Sequence, residues 1–199
     1  MEGYGPLVAL VAFFIGGIPF GVLAAKICGA PDPRHSGSQN IGFTNSLRVS
    51  GKKVGALTLL GDFGKGFLMG GIGTVFWGVE FWALVSGFAV ICGHTFSPFL
   101  KFQGGKGVAT ALGSILGLDP FIGLSLIGIW LFILAIWKYS SGAAMVTFVL
   151  FPILVWIVIG INQMFVFAIC VTGLIMYRHK ENIVRLINGT ESQMGFKSG

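Results

Sequence analysis

Seven apolar segments follow one another along the chain, separated by shorter polar stretches. They occupy residues 4–26, 55–79, 81–99, 107–118, 120–137, 141–160 and 162–177. An α-helix needs about 20 apolar residues to cross the hydrocarbon core of a bilayer, and most of these segments are long enough. The pattern therefore predicts an all-α integral membrane protein, a compact bundle of about seven transmembrane helices that forms a single domain over residues 1–199.

The fourth segment, 107–118, is too short for a straight crossing. It either thins the bilayer locally or turns back at Asp119-Pro120. Both alternatives place the chain before this segment and the chain after the fifth segment on the same side of the membrane.

Composition agrees with a membrane protein, since 54% of the residues are hydrophobic, only 10% are charged and the mean hydropathy is +0.87. Soluble domains carry about 25% charged residues. We attribute the net charge of +6 to basic residues that set the membrane topology and that bind anionic partners. Nucleic acid is not expected as a partner.

The basic residues predict the orientation. All of the 13 Lys and Arg residues except Lys65 fall in the first, third and fifth connections or in the tail, which includes Lys197. The opposite face carries only the acidic residues Glu2, Glu80 and Asp119. By the positive-inside rule the N-terminus is outside, the C-terminus is cytoplasmic, and the polar loops face the cytoplasm.

A glycine-lysine run, Gly104-Gly105-Lys106-Gly107, precedes the fourth segment. Glycine lets the backbone approach a ligand closely, the lysine is a cation, and the following helix N-terminus adds N–H groups and a positive dipole end. These features suit a phosphate. The alternative is a tight turn in which Lys106 only sets topology. A Walker loop is excluded, because Gly107 stands where Ser or Thr must follow the lysine.

Hydroxyl and amide side chains are dense between Ser36 and Arg48, and Ile41, Phe43 and Leu47 alternate with them. Small donors and a guanidinium suit phosphate oxygens. A solvated loop that caps the next helix is the alternative, but the apolar alternation predicts a loop folded against the bundle.

Two charged residues, Asp62 and Lys65, lie inside the second apolar segment. Each costs about 2.5–3.5 kcal/mol on membrane-insertion scales. Their i, i+3 spacing places them on one helix face, where they can pair. A structural ion pair is favoured, and a role in ligand binding is the alternative.

The tail places His179, Asn182 and Arg185 at i, i+3 spacing after the last apolar segment. A proton acceptor, an amide and a cation would line up below the bilayer, or the tail is an amphipathic helix on anionic headgroups. No His is followed five residues later by Asp, and no Gly-x-Ser-x-Gly elbow or zinc spacing is present.

Several blocks, in order along nearly the whole chain, resemble the PlsY family of bacterial membrane acyltransferases, the acyl-phosphate:glycerol-3-phosphate acyltransferases. The first reads close to the family pattern SGSGNIGATNxxR, and the last matches H-x-x-N-I-x-R-L-x-x-G-x-E. The blocks are Ser36–Arg48, Asp62–Gly66, Gly93–Phe96, Phe102–Thr110, Tyr139–Ser141 and His179–Glu191. The chain departs from the family at Gln39, where Gly is usual.

The resemblance implies transfer of a fatty acyl group from acyl phosphate to the first hydroxyl of glycerol 3-phosphate. The products would be lysophosphatidic acid and phosphate, made for phospholipid synthesis at the cytoplasmic face of the bacterial inner membrane. We expect acyl phosphate, glycerol 3-phosphate and membrane lipids as partners, no metal and no cofactor, and a monomer.

The residues carried over from the resemblance fall into two groups. The catalytic residues are expected to be Lys106, His179, Asn182 and Arg48. The substrate-binding residues are expected to be Ser36, Asn40, Thr44, Asn45, Gly104, Gly105, Gly107, Ser141 and Arg185. Backbone N–H groups of the glycine run are expected to stabilise the developing oxyanion.

The general base has two candidates, His179 and an oxygen of the acyl phosphate itself. The second is favoured, because no carboxylate is evidently placed to orient His179. A rival from another class, a transporter of organic phosphates, would use the same basic clusters. It would also need an outward-facing polar vestibule, which the nearly chargeless outer loops do not supply.

Overall fold

The computed structural model describes residues 2–194, so Lys197 of the predicted basic tail lies outside the described residues. The described chain is helical and has no strand, which confirms the predicted all-α class, whereas the orientation in the membrane stays a prediction. The helices are α1 Gly5–Gly17, α2 Phe20–Ile27, α3 Phe43–Ser50, α4 Lys52–Trp77, α5 Phe81–Thr95, α6 Val108–Leu118, α7 Pro120–Trp137, α8 Ser140–Ile159, α9 Gln163–Arg178 and α10 Lys180–Ile187.

Contacts between residues divide the chain into two units, a first unit through Gly123 and a second unit from Leu124. The first unit contains α1–α6, and the second contains α8–α10. The expectation that residues 1–199 form a single domain stays a prediction.

Within residues 2–194, three stretches are long and apolar enough to cross a membrane, and a fourth is added if the bent pair α1–α2 counts as one span. They are Phe81–Leu100, Pro120–Trp137 and Ser140–Ile159. Helix α6 has 11 residues and is only about 16 Å long, while α9 has 16 residues. The seven apolar segments are therefore helical, and their number of crossings stays a prediction.

The first apolar segment, which the sequence pattern presents as a single transmembrane helix, is a pair of helices, α1 and α2, bent by 43°. Pro19 lies at the break, where its ring and missing N–H interrupt the helical hydrogen bonds. Two side chains satisfy carbonyl groups there. Ser97 Oγ donates to the Gly17 oxygen at 2.6 Å, and Lys65 Nζ donates to the Ile18 oxygen at 2.9 Å.

Glycines bring α4 and α6 into close contact from both sides. A Cβ added to Gly70 would collide with the Ser114 carbonyl, and one added to Gly113 would collide with the Phe63 carbonyl. The same holds for Gly66 and Gly117. In the sequence, Gly66 with Gly70 and Gly113 with Gly117 have the i, i+4 spacing of small residues that is typical of closely packed helices, and the structure confirms this packing. The contact fixes the position of α6, which begins directly after the glycine run.

Candidate active site

The polar loop before α3 is organised by Asn45, which is 2% exposed. Its side-chain amide nitrogen donates to the carbonyls of Pro33 (2.8 Å), Ser36 (3.2 Å) and Asn40 (3.0 Å). Its oxygen accepts from the Ser38 N–H at 2.9 Å. An amide has two N–H donors, and both are engaged by the loop. Asn45 thus shapes the loop, and its predicted contact with substrate stays a prediction.

The other predicted residues of this region differ in exposure. Ser36 and Arg48 are exposed, whereas Asn40 and Thr44 are half-buried. The Asn40 side-chain oxygen accepts from the Gly42 N–H at 3.2 Å. The exposed hydroxyl and guanidinium are thus accessible to a soluble ligand.

The glycine run has a tightly constrained backbone. The N–H of Gly104 donates to the Thr95 carbonyl at 3.1 Å, and that of Gly105 donates to the His94 carbonyl at 3.0 Å. The expectation that these two amides stabilise an oxyanion is therefore wrong, because they are already bonded within the protein. Gly107 directly precedes α6 and has φ +85°. This left-handed backbone conformation favours glycine.

A buried polar network lies behind the glycine run and joins Asp62 and Lys65 of α4 to His94 of α5. Lys65 Nζ lies 2.8 Å from Asp62 Oδ1 and 3.0 Å from His94 Nδ1, and His94 Nδ1 lies 3.3 Å from Asp62 Oδ1. The predicted Asp62–Lys65 ion pair is confirmed. The participation of His94 was not predicted, although this residue belongs to one of the blocks that carry the family resemblance.

In the second unit, Glu191 joins three of the predicted site residues. Its Oε1 accepts from Ser141 Oγ and from Asn182 Nδ2, each at 2.7 Å. Its Oε2 accepts from Arg185 Nε at 2.7 Å. The structure thus brings Ser141, Asn182 and Arg185 together around one carboxylate. The Glu191 carboxylate also pairs with the positive charge of Arg185.

The surroundings of Glu191 favour its ionised form. Burial by itself would raise the pKa of this carboxyl, but the hydrogen bonds from Ser141, Arg185 and Asn182 and the charge of Arg185 lower it more. The net result is a pKa below the usual value. The sequence analysis assigned no role to Glu191, and the signal for one was its place at the end of the last block, His179–Glu191.

His179 is 2% exposed and lies between α9 and α10. Its Nδ1 atom is 2.8 Å from the carbonyl oxygen of Ile175 in the preceding turn. A backbone group thus orients this ring, although no orienting residue was evident in the sequence. Within the described residues, no three His, Cys, Asp or Glu side chains are grouped so as to hold a metal ion.

Comparison with known proteins identifies the same family over most of the chain. The model of the family described as glycerol-3-phosphate acyltransferase matches residues 6–189. A glycerol-3-phosphate acyltransferase of Nitrosospira multiformis is 44% identical over 199 residues, covering 96% of this chain and 98% of the relative. One from Aromatoleum aromaticum is 40% identical over 191 residues, covering 95% and 96%.

Two crystal structures of PlsY, an integral membrane glycerol 3-phosphate acyltransferase, have the same fold. The glycerol 3-phosphate form aligns with a TM-score of 0.91 at 35% identity and covers 96% of each chain. The lysophosphatidic acid form aligns with a TM-score of 0.88 at 34% identity, covering 96% of this chain and 95% of the other. This likeness extends over both units of the chain.

Proposed function

Because the chain belongs to the glycerol-3-phosphate acyltransferase family, we propose that it transfers a fatty acyl group from an acyl phosphate to the first hydroxyl of glycerol 3-phosphate. The observation that carries this proposal is the family match over residues 6–189, which includes the polar loop, the glycine run and His179. The products are lysophosphatidic acid and inorganic phosphate.

The reaction takes place in the bacterial inner membrane, with the reacting groups on its cytoplasmic side. The chain is an integral membrane protein, and the positive-inside distribution of Lys and Arg supports the cytoplasmic location of the polar loops. Acyl phosphate carries a hydrocarbon chain and glycerol 3-phosphate is water-soluble. The inner membrane surface is where these two substrates can meet.

In the first unit, we assign Arg48, Lys106 and Ser36 to the phosphate of glycerol 3-phosphate. A guanidinium offers two parallel hydrogen bonds to phosphate oxygens, and an ammonium adds a point charge. Asn40 and Thr44 are assigned to the phosphate of the acyl donor. Asn45, whose donors are occupied by the loop, keeps these groups in place.

In the second unit, we assign His179 and Asn182 to the hydroxyl of glycerol 3-phosphate. Ser141 and Arg185 act through the Glu191 carboxylate. Ser141 donates to Oε1, which also accepts from the Asn182 amide, and Arg185 donates to Oε2. Asn182 is thereby held in one orientation. This role replaces direct substrate binding for Ser141 and Arg185.

The chemical step needs no covalent enzyme intermediate, because phosphate is a good leaving group. The hydroxyl oxygen attacks the acyl carbon, the bond from that carbon to the bridging oxygen breaks, and phosphate leaves with the electron pair. The hydroxyl proton passes to an oxygen of the departing phosphate. His179 hydrogen-bonds the hydroxyl and aligns it for attack.

One assay tests the proposal. Purified protein is supplied with acyl phosphate and glycerol 3-phosphate, and both released phosphate and lysophosphatidic acid are measured. Omitting glycerol 3-phosphate corrects for spontaneous hydrolysis, and acyl coenzyme A replaces acyl phosphate in a parallel reaction. We expect phosphate release that depends on glycerol 3-phosphate, and little product from the coenzyme A ester.

Two results would contradict the proposal. Efficient turnover with acyl coenzyme A would refute the acyl phosphate donor. Uptake of glycerol 3-phosphate into protein-containing liposomes, without release of phosphate, would identify the chain as a transporter.

A further inference from the structure

The most unusual cluster outside the assigned residues is the network of Asp62, Lys65 and His94, which are 2%, 4% and 4% exposed. An ammonium has three N–H donors, and Lys65 Nζ has three acceptors around it. These are Asp62 Oδ1 at 2.8 Å, His94 Nδ1 at 3.0 Å and the Ile18 carbonyl at 2.9 Å. Because an ammonium can only donate, the His94 ring accepts at Nδ1 in its 3.0 Å contact with Lys65, and Nε2 carries the proton of the neutral ring.

The other side of the same imidazole lies against the glycine run. A Cβ built on Gly105 would collide with His94 Nε2, and one built on Gly104 would collide with the His94 carbonyl oxygen. That carbonyl also accepts the Gly105 N–H at 3.0 Å. Both the ring and the backbone of His94 therefore determine the course of the chain immediately before Lys106.

Stability alone is a weak reason for such a network. Removing two charges from water costs several kcal/mol for each ion, and buried ion pairs are often matched or exceeded in stability by apolar residues of similar volume. This network connects the α1–α2 break to the glycine run through Lys65 and His94, which suits it to a positioning role. It can hold that run in one position.

We infer that Asp62, Lys65 and His94 are positioning residues, which fix the glycine run and through it the ammonium of Lys106. The inference rests on the proposed function, in which Lys106 binds the phosphate of glycerol 3-phosphate. A displacement of about 1 Å in a substrate-holding group can reduce the rate about 100-fold. Loosening the network should therefore impair the reaction while Lys106 itself is intact.

Two variants loosen the network in different ways. His94→Gln replaces the imidazole by an amide, which can still hydrogen-bond but lacks the ring that lies against Gly105. The double substitution Asp62→Leu with Lys65→Met removes both charges together, so that no single buried charge is left behind. Each is combined with Lys106→Ala in a double-mutant cycle, and kcat/KM for glycerol 3-phosphate is measured together with the thermal unfolding midpoint.

We expect each variant to fold and to lose about 10- to 100-fold in kcat/KM when Lys106 is present. In the Lys106→Ala background the same substitutions should lose less than about threefold, because the residue they position is already gone. Ser86→Ala is the matched control. Ser86 is buried on α5 and donates to the Met69 carbonyl at 3.4 Å, and its replacement should leave kcat/KM unchanged.

The outcomes separate this inference from the proposed function. Wild-type protein without turnover overturns both. An active wild type whose variants lose the same factor with and without Lys106 overturns the inference alone, as do variants with wild-type kcat/KM. Failure of both network variants to fold also overturns it, because the network would then be needed for the fold itself.

Discussion

The Nδ1 atom of His179 lies 2.8 Å from the carbonyl oxygen of Ile175, four residues earlier in the chain. A carbonyl can only accept a hydrogen bond, so Nδ1 carries the proton and Nε2 is the basic nitrogen of the neutral ring. The carbonyl orients the ring as a carboxylate would. Being neutral, it supplies no negative charge to offset a proton gained at Nε2, and this favours the acyl phosphate oxygen as the base.

We therefore expect His179→Ala to raise the KM for glycerol 3-phosphate more than it lowers kcat. His179→Asn, which keeps a hydrogen-bonding group, should recover part of the loss. A pH–rate profile of both variants is the measurement. If His179 is instead the general base, the loss will be about 10²- to 10⁴-fold. An acidic limb near the usual histidine pKa of about 6.5 will then disappear, without rescue by asparagine.

Lys106→Ala should reduce kcat/KM by about 10²- to 10³-fold, since it removes a cation that contacts a substrate phosphate in the proposed reaction. Lys101→Ala is the control, because Lys101 is an exposed lysine of the same connection and should matter little. If both variants fold and both lower kcat/KM only slightly and to the same extent, Lys106 serves only to set the membrane topology.

Glu191 should make the folded protein sensitive to acid. Its pKa lies below the usual 4.5, so the unfolded chain takes up the proton first as the pH falls. Its contribution to stability is fully present above that usual value and is lost as the pH falls through the folded-state pKa. We expect the unfolding midpoint of Glu191→Gln to be lower at neutral pH and to change less in acid. Parallel curves for the two proteins would contradict this.

Gly70→Ala and Gly71→Ala form a matched pair on α4. A Cβ at Gly70 would collide with the Ser114 carbonyl, whereas nothing lies within 4 Å of a Cβ at Gly71. We expect Gly70→Ala to lower the free energy of unfolding by about 1–3 kcal/mol. Gly71→Ala should be neutral, or stabilising by up to about 1 kcal/mol through helix propensity. Equal midpoints in thermal unfolding would argue against close contact of α4 and α6.

Gln39 has φ +56°, a left-handed conformation that costs a non-glycine residue about 1–2 kcal/mol. The family pattern to which this loop was compared predicts glycine at this position. We expect Gln39→Gly to raise the thermal unfolding midpoint slightly, since added chain entropy in the unfolded state offsets part of the relief. Gln39→Val should lower it. The reverse order of the two variants would show that this loop does not keep its conformation in solution.

Helices were the part of the structure that local sequence could determine. The segment predicted at 120–137 coincides with α7, Pro120–Trp137, and that predicted at 141–160 nearly coincides with α8, Ser140–Ile159. A run of apolar residues of this length satisfies its own backbone hydrogen bonds as a helix, whatever lies around it. The i, i+3 pairing of Asp62 and Lys65 was predictable for the same reason, because helix geometry alone brings them together.

The tertiary structure decided which distant groups meet. His94 contacts Lys65, which lies 29 residues earlier in the chain, and Glu191 accepts a hydrogen bond from Ser141 across 50 residues. It also showed that the amides of Gly104 and Gly105 are bonded to backbone carbonyls. Such contacts depend on how helices pack and in which register. No local pattern contains that information, because the partners are brought together only when the apolar faces between them are buried.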